Sequence, residues 1–156
     1  MKSVCFTGHR NIKVNFTLIR QLYKNIIMLI DDGYTDFYAG GALGWDMLCE
    51  RVILKLKKKY PHIKLHLILP CKGEFQTLKW KEKDVLTYQK ILDSADSVEF
   101  LSENYFDGCM KKRNKRLIEL SDCCLCFYNS KKYNSGTGQT VRMAEQKGIM
   151  IINLHN

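Results

Sequence analysis

Apolar positions along the chain alternate between two spacings. Short, nearly continuous apolar runs predict strands at Ser3–Phe6, Asp36–Ala39, Ile63–Leu69, Ser97–Leu101, Cys123–Tyr128 and Met150–Asn153. Between the first two, Leu18, Ile19, Leu22, Ile26, Ile27 and Ile30 recur at helical spacing and predict a helix over Asn15–Asp31. Asn15 is its expected N-cap and Gly33 its stop. Leu48, Val52, Ile53 and Leu56 share one face of a second helix over Trp45–Lys59, closed off by Pro61. Further helices are predicted at Phe75–Ser94, Met110–Leu120 and Gln139–Lys147, the last stopped by Gly148. Strands that are apolar throughout, alternating with helices, specify an α/β fold. Its sheet is doubly wound and mostly parallel, with helices on both faces. No repeat, linker or low-complexity tract interrupts the pattern, so residues 1–156 read as a single domain.

In such a sheet, ligands bind where the carboxyl ends of the strands meet the following loops. The first strand runs into Thr7-Gly8-His9-Arg10. There glycine permits a tight turn and arginine offers a fork of donors for phosphate. His9 is a weak candidate for a general acid or base. The second strand is followed by Gly40-Gly41-Ala42-Leu43-Gly44 and then a helix, a layout that lets amide groups approach an anion. It is neither the Walker A nor the GxGxxG pattern. Asp46, in the first turn of that helix, either caps it or accepts bonds from ribose hydroxyls. Pro70, Gln76 and Trp80 follow the third strand. Gln76 and Trp80 are four residues apart, so on a helix they share a face, an amide beside an aromatic ring suited to a base. Arg113 and Asn114 lie in a basic run before the fifth strand. Ser135-Gly136-Thr137 and Thr140 follow that strand, forming a second cradle of small residues that opens a helix.

Charge narrows the partners. Lys plus Arg number 25 against 16 Asp plus Glu, a formal charge of +9, which favours anionic partners. No signal-peptide pattern opens the sequence. The most apolar run, around Ile26–Ile30, ends at Asp31 and Asp32, far short of the roughly 20 residues that span a bilayer. The seven cysteines lie mostly in apolar segments, with Cys5, Cys49 and Cys124 reading as small core residues. A reduced, cytoplasmic location without membrane partners is therefore expected. Cys123 and Cys126 have CxxC spacing, but no second pair matches it, and no metal or other obligatory cofactor is expected.

Taken in order, these segments resemble the YpsA-like family of the SLOG superfamily. The resemblance spans nearly the whole chain: CFTGHR at Cys5–Arg10, GGALGWD at Gly40–Asp46, and LPC at Leu69–Cys71 with Gln76 and Trp80. It continues through GCM at Gly108–Met110 with Arg113-Asn114 and Ser121-Asp122, then Gly136-Thr137 with Thr140-Val141-Arg142. Ser135 stands where the family carries the first glycine of GGT. The resemblance implies a Rossmann-like fold, a nucleotide or nucleotide-derived ligand such as an ADP-ribose-like or cyclic-nucleotide signal, and a homodimer or higher homo-oligomer. The related LOG hydrolases carry GGxGTxxE, and aligning the GT places Thr140 at their glutamate. A threonine cannot supply the carboxylate that stabilises an oxocarbenium-like transition state.

The leading expectation is a binding module, a sensor, sequestering protein or regulator. Its ligand-binding set is Thr7, Gly8, His9, Arg10, Gly40, Gly41, Ala42, Gly44, Asp46, Pro70, Gln76, Trp80, Arg113, Asn114, Ser135, Gly136, Thr137 and Thr140. The second reading is a nucleotide-processing enzyme that cleaves an N-glycosidic or phosphate bond with Asp46 or His9. The third is nucleic-acid binding through the lysine runs, against which the aromatic residues do not interleave with the basic ones in sequence.

Overall fold

The computed structural model describes residues 2–156. Its strands are β1 (Lys2–Gly8), β2 (Tyr34–Ala39), β3 (Lys64–Leu69), β4 (Ser97–Phe100), β5 (Cys123–Phe127) and β6 (Met150–Asn153). Its helices are α1 (Phe16–Asp31), α2 (Trp45–Leu56), α3 (Glu82–Ser94), α4 (Cys109–Glu119) and α5 (Gly136–Lys147). The strands form one six-stranded sheet in the order β4-β3-β2-β1-β5-β6. Every pairing is parallel.

The alternation of side chains along each strand explains the two layers of helices. Val4, Phe6, Phe37, Leu65, Leu67 and Leu125 bury one sheet face under α1, α2 and α3. Cys5, Ile68, Cys124 and Cys126 pack the other face against Leu117 and Ile118 of α4 and Val141 and Ala144 of α5. The chain thus winds outward from β1 through β4 on one face, then crosses to β5 and β6 on the other. The reversal falls between β1 and β5, where a doubly wound sheet leaves a crevice at its carboxyl edge. This is the Rossmann-like α/β architecture, with its sheet parallel throughout.

Caps agree with the sequence at both ends of the chain. Asn15 Oδ1 accepts from the Leu18 N–H at 2.8 Å, and Gly148 ends α5 in the left-handed conformation. Three helices differ from expectation, the first being α2, which ends at Leu56 while 57–59 continue only as turns. The helix predicted over Phe75–Ser94 is interrupted, with a 3-10 turn at Phe75–Thr77 and α3 starting only at Glu82. The cause is tertiary: Gln76 donates its amide to the Gly41 carbonyl, while Trp80 packs edge-on against Tyr88 with ring centres 5.3 Å apart. Gln76 and Trp80 therefore do not share a helical face. α5 begins three residues before Gln139, because Ser135 rather than a later residue is its N-cap.

The CxxC cysteines sit on opposite sides of β5, Cys123 in the α1–α3 core and Cys126 in the α4–α5 core, so they cannot converge on one ion. All seven cysteines are buried free thiols. Among the described residues, no helix is long and apolar enough to cross a membrane.

Candidate functional site

The loops after β1 and β5 enclose a cavity of about 290 Å³ at the switch point. Ten of the predicted ligand residues line it. Thr7, Gly8, His9 and Arg10 come from the β1 end, Ala42 and Asp46 from the start of α2, Arg113 and Asn114 from α4, and Gly136 and Thr137 from the start of α5. Phe6, Met110 and Leu117 complete the wall.

Two glycines are required by space. A side chain at Gly8 would run into the ring of Trp45, and one at Gly44 would strike the backbone carbonyls of His9 and Arg10. Gly44 also has φ +77, a left-handed value that glycine adopts without strain. This close passage lets the Trp45 N–H donate to the His9 carbonyl at 3.2 Å and fastens the β1 loop to the start of α2. His9 ties the same loop to β5: its Nε2 accepts the Asn129 N–H at 2.9 Å. The neutral ring consequently carries its proton on Nδ1. Burial pushes the imidazole pKa down, and the charges of Lys132 and His155 add to that.

Behind the cavity lies a buried polar cluster. Arg113 donates from Nη1 to the Gly40 carbonyl and from Nε to Asn114 Oδ1 at 2.7 Å. Asp46 Oδ2 accepts the Ala42 N–H at 3.3 Å. Glu50, one helical turn after Asp46 and fully buried, accepts the Gly41 N–H at 3.1 Å through Oε2, and its Oε1 has no partner among the described residues. The loop Gly40–Ala42 is thus gripped by Arg113, Glu50, Gln76 and Asp46, which come from three separate segments. Gly40, Gly41 and Gly44 shape the site through their backbone rather than lining it.

Burial raises Asp46 to about 6, against the lowering influence of Arg113, the Ala42 amide and Arg10. Burial also lifts Glu50 well above the usual carboxylate range, and the Asp46 charge lifts it further. The sign for stability follows. An unfolded aspartate titrates near 3.9, so between about pH 4 and 6 the folded state holds a proton that the unfolded chain has released. Stability from this group is complete below that window and is lost as pH rises through it. Denaturant titrations at several pH values are expected to show this decline in the parent and a smaller one in Asp46→Asn. Equal slopes would refute the assignment.

A second cavity, of about 450 Å³, adjoins the first and shares Arg10 and Met110 with it. Gln76 and Trp80 line it, together with Leu43, Phe75, Leu78, Lys79 and Tyr105. Phe75 and Tyr105 stack with ring centres 4.0 Å apart, and both are exposed. Besides Gly40, Gly41 and Gly44, three predicted residues line neither cavity. Pro70 is buried behind β3. Ser135 is engaged as the α5 cap, accepting the Gly138 N–H at 3.0 Å. Thr140, fully buried, turns its hydroxyl back to the Gly136 carbonyl at 2.8 Å.

Sequence reading missed Glu50, although its spacing from Asp46 puts both on one face of α2. It also missed Phe75 and Tyr105, which lie far apart in sequence and meet only because β3 and β4 are neighbours.

Comparison with known proteins agrees with this architecture. The chain is 28% identical over 146 residues to UPF0398 protein BH1768 of Halalkalibacterium halodurans, covering 86% of this chain and 76% of that one. It is 26% identical over 159 residues to a UPF0398 protein of Bacillus cereus, covering 95% and 85%. Among solved structures it matches DNA processing protein A from Helicobacter pylori, studied for its single-stranded DNA binding mode. That match has a TM-score of 0.68 and 20% identity, covering 97% of this chain but only 64% of the other, and it speaks for the fold alone. The model of the YspA SLOG family matches residues 4–154. With that match running from β1 to just beyond β6, the chain belongs to the YspA SLOG family.

Proposed function

We propose that the chain binds a nucleotide or nucleotide-derived small molecule at the carboxyl edge of its sheet, as a sensor, sequestering protein or regulator. The observation that carries this reading is the pair of adjoining cavities that share Arg10. One is polar and faces the start of a helix, and the other is walled by aromatic residues. The free amides of Gly136 and Thr137 at the start of α5, with Arg10, suit phosphate. Asp46, ionised at pH 7, suits ribose hydroxyls. Trp80 and Phe75, with the Gln76 amide, suit a base.

Calorimetry with ATP, NAD, ADP-ribose and cyclic nucleotides tests the reading. Binding tighter than millimolar by one of them is expected, and none by the intact folded protein would overturn it. Arg10 is exposed, so Arg10→Ala is expected to leave stability within about 0.5 kcal/mol. It should weaken binding about 10- to 100-fold, the usual worth of a charged hydrogen bond. Product formation from NAD or a nucleoside monophosphate, lost in Asp46→Asn, would convert the binding module into an enzyme.

A second reading is single-stranded nucleic acid, the ligand class named for the H. pylori neighbour. The exposed Phe75–Tyr105 stack beside Arg10 and Lys79 favours it, because stacked rings next to cations suit unpaired bases. The fold here brings together aromatic and basic residues that are separate in sequence. Oligonucleotide binding that weakens steeply with salt supports this reading, and salt-insensitive mononucleotide binding supports the first.

A further inference from the structure

Away from the carboxyl edge, three residues on adjacent strands form a line of hydrogen bonds. Asp36 Oδ1 lies 2.7 Å from His66 Nε2, and His66 Nδ1 lies 2.6 Å from Ser97 Oγ. Asp36 and His66 alternate with Phe37, Leu65 and Leu67, which pack under α1–α3, so they project from the opposite face of the sheet. Ser97 is the first residue of β4, the edge strand, so the group lies towards the amino ends of the strands. It shares no residue with the two cavities of the proposed ligand site.

The bonding fixes the proton positions. Burial works to raise the Asp36 carboxyl, but hydrogen bonds from His66 and Thr35 more than offset it and hold it below its ordinary value. Thr35 Oγ1 donates to Asp36 Oδ2 at 2.7 Å, so both carboxylate oxygens are engaged as acceptors. His66 must therefore donate from Nε2, which leaves the Nδ1 lone pair to accept from the Ser97 hydroxyl. The Tyr38 ring stacks on the imidazole with centres 4.7 Å apart and restrains its plane. Exposure rises along the line, from 5% for the Asp36 side chain to 14% for His66, and Ser97 is exposed. A buried acid, a base oriented by it and an accessible hydroxyl are the parts of a nucleophilic relay, with the roles of the two ring nitrogens exchanged relative to the serine-protease arrangement.

We propose that Ser97 is a nucleophile activated by His66 and Asp36, and that it transfers the acyl group of small, unhindered carboxylic esters to water. Ser97 Oγ bonds to the carbonyl carbon as its proton passes to His66 Nδ1. The bond to the alcohol oxygen then breaks, and that oxygen takes the proton from Nδ1. Water attacks the acyl-Ser97 ester in the same way, releasing the carboxylic acid and restoring the hydroxyl. Asp36 acts through His66 as a positioning residue. Ser97 is exposed on the edge strand, so a small, unhindered ester reaches its hydroxyl without entering a cavity.

The test uses the whole chain with p-nitrophenyl acetate and peptide mass spectrometry. An acetyl adduct on the Ser97 peptide is expected, absent from Ser97→Ala and formed about 100-fold more slowly in His66→Ala, the scale of general-base assistance. No adduct in the folded parent, or one that forms equally fast in His66→Ala, overturns the proposal. Should His66→Ala fail to fold, Ser97→Cys gives an independent reading, since the seven native thiols are buried. Alkylation of the new thiol well above the rate of a free cysteine supports the relay, and an ordinary rate overturns it. None of these results depends on nucleotide binding, so the two assignments fail separately.

Discussion

Replacing Trp45 with alanine is expected to destabilise the fold by about 3–5 kcal/mol, the range for truncating a fully buried large aromatic residue. Trp45 is completely inaccessible, and its Nε1 donates to the Leu125 carbonyl at 3.3 Å. Its ring lies 5.5 Å from that of Phe127 and fills the space that Gly8 leaves open. The substitution empties a volume bounded by β1, β5 and α2, and it leaves the Leu125 carbonyl without this donor. Against a typical domain stability of about 5–15 kcal/mol, the loss is a large fraction. Guanidinium denaturation should show a much lower midpoint. Trp45→Phe keeps most of the volume and should recover more than half of the loss. A stability loss in Trp45→Ala of less than about 1 kcal/mol, the scale of a surface change, would show that the ring does not hold β1, β5 and α2 together.

The second large effect is expected at Arg113. Its guanidinium is buried between the Gly40 carbonyl, Asn114 and the charge of Asp46. Arg113→Ala leaves a buried carboxylate without its main countercharge, a loss on the order of 3–5 kcal/mol at neutral pH. The carboxylate can escape by taking up a proton. The Asp46 titration should therefore move above about 6, and the variant should regain stability on acidification where the parent gains less. Arg113→Lys keeps the charge but not the planar fork, and should fall between the two. In the double variant Arg113→Ala with Asp46→Asn, the two costs should not add, because the unpaired charge is gone. Strict additivity in that cycle would refute the pairing.

The family motif names Arg113 as a site residue, whereas charge spacing alone does not. Arg113 lies in a run with Lys111, Lys112, Lys115 and Arg116, which reads as a solvated helix face, and in that run only Arg113 is buried. Charge spacing cannot tell which member turns inward, since the face that α4 presents is set by Leu117 and Ile118 packing on the sheet. The strand ends were legible because apolar runs and glycine loops carry the local rules that make them. The helical face expected to join Gln76 and Trp80 fails for a complementary reason: their spacing suits a helix, but a hydrogen bond from Gln76 to Gly41, 35 residues away in sequence, holds that segment in a different turn. Glu50 was overlooked because a carboxylate in a helix is ordinarily a surface residue, and only the buried glycine amide beside it makes it otherwise. The candidate site was thus readable wherever local chemistry builds it, and unreadable where remote chain segments decide orientation.

The placement of β1 between β2 and β5 has a kinetic consequence. β1 pairs with β2 about thirty residues on, but with β5 only after most of the chain has been made, and the His9–Asn129 bond spans 120 residues. Closing so long a loop is entropically slow and comes late. The cavity needs both loops, so a partly folded chain that has formed only β1 to β4 has no place for a ligand. A ligand held there should accordingly slow unfolding and leave the folding rate nearly unchanged, because it meets its site only after the last strands have docked.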